Sequence, residues 1–400
     1  MKNRIILLTA AVVLNIAAHA LNFETDREWY LAGEPMKVSI TANDAMIAYA
    51  ELCDTHGMAA GCAVSVNGGK GEGVIELPIE LHSGYYVLSV YTRHEAEVAH
   101  RLVAVVNPLR KSKDDDIDWI AADNCYVSNS GTAELITRKG IGAKETEGHI
   151  VKARIKNGYN GKNYADAISA SLSIVGKQIH YFEGKMENDS TAVFYTYGIH
   201  GRLPLVLTAI TKTGESLPVE LISPFETLLP KKLPRLVFSY NRSEVETRSM
   251  DMQRCQMSMK PTSALLLDYD DNVLGTKPDL TYNLDEYRQF LTIREVMLEY
   301  VTNVSKRKIN GVQKLMVLKD VEPYQNFVPS LVLIDGMPVL DTERLLKYDA
   351  RRIHYINIYG GQYTFGNTVY NGILSFVTRS GQLTNYPVEH NMQYLVYDFP

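Results

Sequence analysis

The most constraining part of the sequence is residues 331–381, where runs of strand-forming apolar residues alternate with strong turn signals. An Asp-Gly pair and an Asn-Gly pair mark tight turns, and a short span between them has the spacing of a helix. The order strand, turn, helix, strand, turn, strand predicts a small mixed α/β unit. The signals, in chain order, are the apolar run 331–334, Asp335-Gly336, Pro338, the alternating Ile353, Ile356 and Ile358, Gly360, Asn371-Gly372 and the apolar run 373–377.

Residues 1–20 have the composition of a secretory signal. Lys2 and Arg4 form a positive start, residues 5–18 form an apolar core, and an A-x-A pattern ends at Ala20, so we expect cleavage after Ala20. The apolar core is shorter than the roughly 20 residues that a membrane-spanning helix needs. An uncleaved anchor is the alternative. No Cys follows the cleavage site, which argues against a lipid-anchored start.

The composition is that of an ordinary folded protein with a preference for strands. Hydrophobic residues make up 46% of the 400 residues, and the chain contains 25 Tyr. The formal net charge is −5 and no basic cluster is evident, which argues against nucleic-acid binding. After the signal no apolar run has the length of a membrane span, so we expect no transmembrane segment in the mature chain.

Residues 21–107 are predicted to form an antiparallel β-sandwich, because short runs such as Met36-x-Val38-x-Ile40 alternate apolar and polar positions between turns. The opening of this region is similar to the first strands of macroglobulin-like domains, and the resemblance implies that family's sandwich fold. The matching residues are Thr25, Asp26, Arg27, Tyr30, Gly33 and Glu34. The thioester motif C-G-E-Q of the large macroglobulins is absent, so covalent trapping of proteases is not expected.

Three segments follow this sandwich. The charged run 108–118 is predicted to be a solvated linker. The strand pattern returns over 119–237, with glycines between the runs, and predicts a second sandwich. Residues 242–259 have a helical pattern that Pro261 would end, so 238–262 is predicted to be a helical connector.

Residues 263–386 are predicted to form the small α/β domain. Its best helix candidate lies within 285–300, where Thr292 and Glu295 have the spacing of a capping box. One apolar stripe then follows on this helix, formed by Ile293, Val296, Met297 and Tyr300.

The span 280–385 resembles the plug domain of TonB-dependent outer-membrane receptors, in the arrangement of Bacteroidetes-like envelope proteins that place macroglobulin-like sandwiches before it. The segment before the Asn-Gly turn departs from that family, because it lacks the usual small Ala/Ser-rich sequence. Residues 387–400 are expected to form a terminal strand or the start of a further module. The motif residues that carry the resemblance are Asp335, Gly336, Pro338, Gly360, Asn371 and Gly372.

The cysteines are interpreted for an exported, oxidising setting. Cys53 and Cys62 flank a small-residue turn, so a local disulfide is the expectation. Two free thiols are one alternative, and a zinc site that adds His56 is another, although structural zinc usually takes four ligands. Cys125 and Cys255 are far apart in sequence, and no pairing is assigned to them.

No local motif points to an enzyme or a cofactor. The sequence contains neither G-x-S-x-G nor a Walker-type G-K-[ST] loop. Asp335 resembles a catalytic carboxylate, but in a D-G-x-P turn we expect it to cap its own backbone. Two patterns with metal-ligand character have simpler explanations, a core-filling Met-rich helix and a polar loop: Met250, Met252, Met257 and Met259 with Cys255 for copper, and Asp268, Asp270 and Asn272 for calcium.

The predicted fold class is mainly β with an α+β part: two tandem antiparallel β-sandwiches followed by a small α/β plug-like domain. The function that the resemblances imply is a non-enzymatic binding or assembly module of the Gram-negative envelope, exported to the periplasm or outer membrane. Its expected partners are envelope proteins, among them a TonB-dependent or other outer-membrane barrel, and no small-molecule ligand is assigned. The alternatives are the front part of a longer outer-membrane transport protein and a carbohydrate-binding envelope protein.

Overall fold

The computed structural model describes residues 21–43, 45–128, 131, 133–135, 138, 142–156, 168–211, 214–258, 274, 276–309, 311–318 and 328–400. The predicted signal cleavage after Ala20 lies outside these residues, as do Met259 and the candidate calcium ligands Asp268, Asp270 and Asn272. The described residues form two compact units, which belong to Met1–Lys144 with Thr227–Ser249 and to Glu145–Glu226 with Met250–Pro400. None of the helices in this part of the chain is long and apolar enough to cross a membrane.

The predicted class, mainly β with an α+β part, is confirmed. The α-helices are α1 (Arg242–Ser258), α2 (Ile293–Glu299) and α3 (Thr342–Leu346), and 3-10 turns cover Leu284–Glu286 and Ala350–Arg352. The strands are β1 (Asn22–Thr25), β2 (Trp29–Leu31), β3 (Pro35–Thr41), β4 (Ile47–Cys53), β5 (Met58–Ser65), β6 (Lys70–Glu76), β7 (Gly84–Tyr91), β8 (Val98–Val106), β9 (Ile117–Ala121), β10 (Tyr126–Val127), β11 (Glu134–Leu135), β12 (His149–Ile155), β13 (Ile168–Ile174), β14 (His180–Met186), β15 (Thr191–Thr196), β16 (Gly201–Thr211), β17 (Val219–Ile222), β18 (Pro230–Lys232), β19 (Leu236–Tyr240), β20 (Leu280–Asn283), β21 (Val304–Ile309), β22 (Val312–Val317), β23 (Leu331–Ile334), β24 (Met337–Pro338), β25 (Ile353–Phe365), β26 (Thr368–Thr378) and β27 (Gln393–Phe399).

In the first unit, two sheets pack face to face as a sandwich. One sheet has the order β1-β3-β6 and the other β2-β8-β7-β4-β5. Strand β3 shows why the sequence folds this way: Met36, Val38 and Ile40 are buried in the core, while the residues between them are exposed. The predicted alternation is confirmed, since a strand places successive side chains on opposite faces.

The residues of the macroglobulin-like motif form one hydrogen-bonded turn. The Tyr30 hydroxyl donates to the carboxylate of Asp26 at 2.7 Å and accepts from the backbone N–H of Arg27 at 3.1 Å. The Glu34 carboxylate accepts from the Leu31 N–H at 2.8 Å and pairs with Arg27 at 3.2 Å. Burial, followed by the bond to Asp26, raises the pKa of Tyr30 to about 12. These contacts give the motif a structural role.

A third sheet, with the order β10-β19-β9, covers the outer face of the five-stranded sheet in the same unit. Strands β9 and β19 pair in parallel, so the two ends of the predicted second sandwich, 119–237, fold with the first one. The predicted solvated linker, 108–118, is also held by contacts within the first unit. Asp115 accepts a hydrogen bond from the Ser83 N–H at 2.7 Å, and β9 begins inside the segment.

In the second unit, a seven-stranded antiparallel sheet has the order β17-β12-β15-β14-β13-β16-β27. Inward-facing residues from all seven strands meet in one core, so the sheet folds over itself. Its two edge strands approach each other, because the Leu221 N–H of β17 donates to the Gln393 side chain of β27 at 2.6 Å. The C-terminal residues therefore complete this sheet.

The mixed α/β region consists of a five-stranded sheet, β20-β25-β26-β23-β24, a β21–β22 hairpin and the helices α2 and α3. The predicted capping box at the start of α2 is confirmed, since the Thr292 and Glu295 side chains each accept from the other's backbone N–H. The region is not a separate body. Its core includes Val175, directly after β13, and Val206 of β16, and Tyr181 of β14 packs with its tyrosines in a second cluster.

Candidate binding cleft of the mixed α/β region

The structure gives Asp335 a contact that the sequence did not indicate. Its carboxylate is buried and accepts from the Thr378 N–H at 2.7 Å, the Thr378 hydroxyl at 2.5 Å and the Leu383 N–H at 2.8 Å. The expectation that it caps its own turn is therefore wrong. Burial raises the pKa of Asp335, and the hydrogen bonds oppose that shift. This carboxylate ties the 334–337 turn to the 378–383 segment.

The other motif residues divide between two ends of the five-stranded sheet. Gly336 and Pro338 lie beside Asp335, and Gly336 packs against the backbone of Ile174 in the seven-stranded sheet. Asn371 and Gly372 lie at the opposite end of β23, next to the strand irregularity that contains Gly360.

The predicted turn at Asn371-Gly372 is wrong, because both residues lie within β26 and the turn between β25 and β26 is at Gly366-Asn367. Close backbone approach explains Gly372, since a Cβ there would lie 2.9 Å from the Tyr359 carbonyl oxygen. The motif residues therefore form one turn and several packing points, and they do not converge on one site.

The predicted disulfide between Cys53 and Cys62 is wrong. Both residues lie in the described part of the chain, and no disulfide joins them. In the β4–β5 ladder Cys62 is opposite Ala50, and Cys53 is opposite Met58. Cys53 points with Glu51 to one face, while Cys62 packs into the sandwich core on the other face. Burial raises the pKa of Cys53 to about 12, so its thiol stays protonated.

Two buried polar groups in the second unit join strands. His149 lies between Glu145, at 3.2 Å from Nδ1, and the Tyr397 hydroxyl, at 2.6 Å from Nε2, so it links β12 to the C-terminal strand β27. Glu183 accepts from the hydroxyls of Ser169 and Thr368, and its Thr368 contact measures 2.8 Å. Burial raises the pKa of Glu183. His149 has a partner at each ring nitrogen, whereas Oε2 of Glu183 is buried with no hydrogen-bond partner among the described residues.

One exposed feature with a built shape is a shallow depression beside α2, called here the aromatic cleft. Tyr300 is its central ring, with Tyr287 at 4.6 Å and Phe290 at 5.5 Å between ring centroids. The cleft is lined by three aromatic side chains, three guanidinium groups and four other residues: Tyr287, Phe290, Tyr300, Arg288, Arg351, Arg379, Leu284, Gln289, Val296 and Ala350.

Local sequence explains how these rings meet. The capping box starts α2 at Ile293, which places Val296 and Tyr300 one turn apart on the face toward the cleft. The 3-10 turn at Leu284–Glu286 buries Leu284 and directs the following loop, with Tyr287 and Phe290, across that face.

Two of the three arginines that line the aromatic cleft form ion pairs with described carboxylates, and the third does not. Arg379 pairs with Asp285 at 2.5 Å, and Arg351 pairs with Asp349 at 2.9 Å. Arg288 is exposed, and no carboxylate of the described residues lies within ion-pair distance of it. Arg288 is therefore the arginine of the cleft lining that has no ion pair with a described carboxylate.

The helix stripe ending at Tyr300 was predicted from sequence, but Tyr287, Arg288 and Phe290 were not recognised as site residues. The usable signal was the Y-R-Q-F run at 287–290, where two aromatic residues and an arginine shortly precede a helix start. Arg351 and Arg379 reach the cleft through the 3-10 turn at 350–352 and the end of β26, which local sequence does not relate to the 287–290 loop.

The lining of the aromatic cleft offers aromatic rings, guanidinium groups and the Gln289 amide, with no carboxylate, thiol or imidazole among the lining residues. Within the described ranges, no group of three His, Cys, Asp or Glu side chains is placed to hold a metal ion.

Comparisons with known proteins do not assign this chain to a family. No protein-family model matches the chain. No curated protein matches it either.

Solved structures with weak similarity include a biofilm-associated protein BSP domain, at 11% identity and TM-score 0.19 over 55% of this chain and 30% of that one. Salmonella alpha-2-macroglobulin matches at 9% identity and TM-score 0.20 over 54% of this chain and 14% of that one. A putative membrane anchored protein from Corynebacterium diphtheriae matches at 14% identity and TM-score 0.19 over 54% of this chain and 60% of that one. The chain spans less than a third of the length of the first two. No conclusion about function rests on TM-scores this low.

Proposed function

We propose that the chain is a non-enzymatic binding or assembly module of the Gram-negative cell envelope, exported to the periplasm, which docks on an outer-membrane barrel protein. The signal pattern that ends at Ala20 and the resemblances to macroglobulin-like and receptor-plug domains support this proposal. The observation that carries it is the exposed aromatic cleft on an α/β region that the rest of its unit holds rigidly from behind.

The packing of the α/β region against the seven-stranded sheet determines how such docking takes place. Val175, directly after β13, and Val206 of β16 belong to the core of the α/β region, and Gly336 packs so closely that an added Cβ would clash with the Ile174 carbonyl oxygen. Pulling the region into a barrel lumen would break this packing and expose apolar surface, at a cost of roughly 25 cal/mol per Å². The second unit therefore docks on a partner as a whole.

The cleft is suited to contact with a protein. Leu291, next to Phe290 of the lining, is 64% exposed, and large exposed apolar side chains around a concave surface are typical of protein-interaction sites. Tyrosine, phenylalanine and arginine are also enriched in the cores of such interfaces.

Site-specific photocrosslinking tests the proposal. A crosslinking amino acid at Leu291, in the full chain expressed with its signal in a Gram-negative host, is expected to capture an integral outer-membrane barrel that mass spectrometry identifies. The control position is Tyr197, which is 69% exposed on the seven-stranded sheet of the same unit. Capture of soluble periplasmic proteins alone, or equal capture of the barrel from both positions, would overturn the docking assignment.

A further inference from the structure

The β21–β22 hairpin is a basic element without acidic residues. Its strands contain Lys306, Arg307, Lys308 and Lys314, and the sequence over 301–318 contains no Asp or Glu. The antiparallel register places Arg307 opposite Lys314, so the fold brings the fourth cation beside the three consecutive ones. The sequence alone shows only the run of three, because Lys314 comes on the second strand.

One end of the hairpin is anchored and the other is exposed. Leu315 and Val317 of β22 belong to the core of the α/β region. At the opposite end the ladder closes with Ile309 opposite Val312, and Val312 is 43% exposed. Lys308 precedes Ile309 and is exposed as well. The free end of the hairpin therefore carries apolar side chains directly beside a cation.

The lysines of the hairpin are not neutralised by described carboxylates. Lys306 and Lys308 are exposed, and neither they nor Lys314 form an ion pair within the described part of the chain. Burial lowers the pKa of Lys314, and the charge of Glu389 opposes that shift. Glu389 is itself buried and accepts from two backbone N–H groups at 3.1 and 3.0 Å. The two exposed lysines keep their charge for a partner.

This combination of groups matches an anionic membrane surface. Clusters of about four to eight Lys and Arg are attracted to the negative potential of anionic lipids. Apolar side chains beside such a cluster enter the boundary between headgroups and acyl chains. Nucleic acid is the other common polyanion, but its single strands are held largely by aromatic side chains, and β21 and β22 contain none.

We propose that the β21–β22 hairpin docks on an anionic lipid surface. The ammonium groups of Lys306 and Lys308 contact the lipid phosphates, and the apolar pair Ile309 and Val312 enters the layer beneath them. The inference rests on the part of the proposed function that exports the chain to the envelope, and it does not depend on a barrel partner.

Vesicle co-sedimentation tests the inference on the mature chain from Leu21 onward. At low ionic strength the chain is expected to bind vesicles of phosphatidylcholine and phosphatidylglycerol in equal parts, and not vesicles of phosphatidylcholine alone. Binding should weaken as salt is added, because salt screens the attraction between exposed charges. Failure to bind the anionic vesicles, or equal binding to both compositions, would overturn the inference.

Neutral variants assign the contact to the hairpin. The double variant Lys306→Gln with Lys308→Gln is expected to bind the anionic vesicles about 25-fold more weakly, at about fivefold for each lysine. The control is Lys185→Gln with Lys232→Gln, which removes the same charge at exposed positions of β14 and β18 and should keep the native affinity. Equal losses in the two double variants, with circular dichroism showing intact folds, would contradict the role of the hairpin.

A tryptophan at the free end reports its insertion. In Val312→Trp the added indole should emit at shorter wavelength with anionic vesicles, and the affinity should rise, since Trp favours the membrane interface. Tyr394→Trp is the control, at a position of β27 that is 47% exposed, and should show no such shift. A shift in both variants, or in neither, would reject insertion of the hairpin end.

Competing anions and the crosslinking result separate the remaining explanations. Inorganic phosphate that releases the chain from vesicles more strongly than chloride at equal ionic strength would replace the lipid surface with a free-phosphate site. Tighter binding to a DNA duplex, with the same dependence on Lys306 and Lys308, would replace it with nucleic acid; either result overturns the inference. Vesicles contain no barrel protein, so photocrosslinking from Leu291 to a barrel, combined with no vesicle binding, keeps the docking function and rejects the lipid surface.

Discussion

The carboxylate of Asp335 accepts hydrogen bonds from both the backbone N–H and the hydroxyl of Thr378, at 2.7 and 2.5 Å. Asp335 has a φ of 44°, so the turn that carries it is left-handed, and its carboxylate crosses to the end of the neighbouring strand β26. This pair closes the mixed α/β sheet at the end where it packs against the seven-stranded sheet.

Asp335→Asn is expected to destabilise this end of the sheet. Asn tolerates the left-handed conformation, but its amide group replaces an oxygen that faces two donors, Thr378 and Leu383. Leaving one donor unpaired costs about 2 kcal/mol, so amide hydrogen exchange at Leu383 should become about 30-fold faster. Asp398→Asn, at an exposed position of β27, is the control and should leave that rate unchanged.

Gly336→Ala is expected to destabilise the second unit through two effects. The residue has a φ of 82°, and an added Cβ would clash with the Ile174 carbonyl oxygen. Backbone strain alone costs about 1–2 kcal/mol, and the clash adds to it. Gly214→Ala is a matched control, because Gly214 has a φ of 88° and a Cβ added there would meet no atom within 4 Å. Calorimetry should show the larger fall in melting temperature for Gly336→Ala; equal falls would contradict the packing argument.

Glu183→Gln is expected to change how stability depends on pH. Burial raises the pKa of Glu183 in the folded state, so between the unfolded and folded pKa values the folded chain binds more protons. Stability from this group therefore falls as pH rises through that window. Gln keeps an acceptor for Ser169 and Thr368 without the buried charge.

Circular-dichroism melting from pH 4 to pH 8 checks this. The variant should melt at a higher temperature than the native chain at pH 8, and the difference should shrink toward pH 4. Glu187→Gln, which removes an exposed carboxylate paired with Lys152, is the control and should not raise the melting temperature at pH 8. A lower melting temperature of Glu183→Gln at pH 8 would count against the burial argument.

Arg248→Ala is expected to weaken the first unit. The guanidinium lies 3.8 Å from the centre of the Trp29 ring and pairs with the buried Glu34 at 2.6 Å, while Arg27 retains a second contact with Glu34. Loss of the stacked, charged partner should cost about 2 kcal/mol of unfolding free energy. Both tryptophans of the chain, Trp29 and Trp119, lie in this unit, so urea denaturation followed by tryptophan fluorescence reports on it.

Arg242→Ala on the same helix is the matched control. Its ion pair with Glu246 is solvent-exposed, so the change should cost less than about 0.5 kcal/mol. Equal losses for the two variants would show that the stacked contact on Trp29 adds no stability.

Sequence alone predicted features that depend on near neighbours. The burial of Met36, Val38 and Ile40 follows from a strand's two-residue period, and the start of α2 follows from the three-residue spacing of Thr292 and Glu295. These patterns hold wherever the strand or helix is placed, so they could be recognised without knowledge of the fold.

Sequence also determined the mainly β class, the turn at Asp335-Gly336 after the strand 331–334, and which residues carry aromatic and cationic groups. The turn between β25 and β26 was not predicted, since it lies at Gly366-Asn367 and not at Asn371-Gly372. Tertiary structure decided that Cys53 and Cys62 face opposite sides of a sheet, that β27 returns to the seven-stranded sheet, and that Arg351 and Arg379 meet Arg288 beside three rings. The physical reason is that a pattern of alternation tells which side of a strand is buried. Which sheet covers it depends on contacts between residues hundreds of positions apart, such as His149 and Tyr397, whose association is favoured only when the whole core forms.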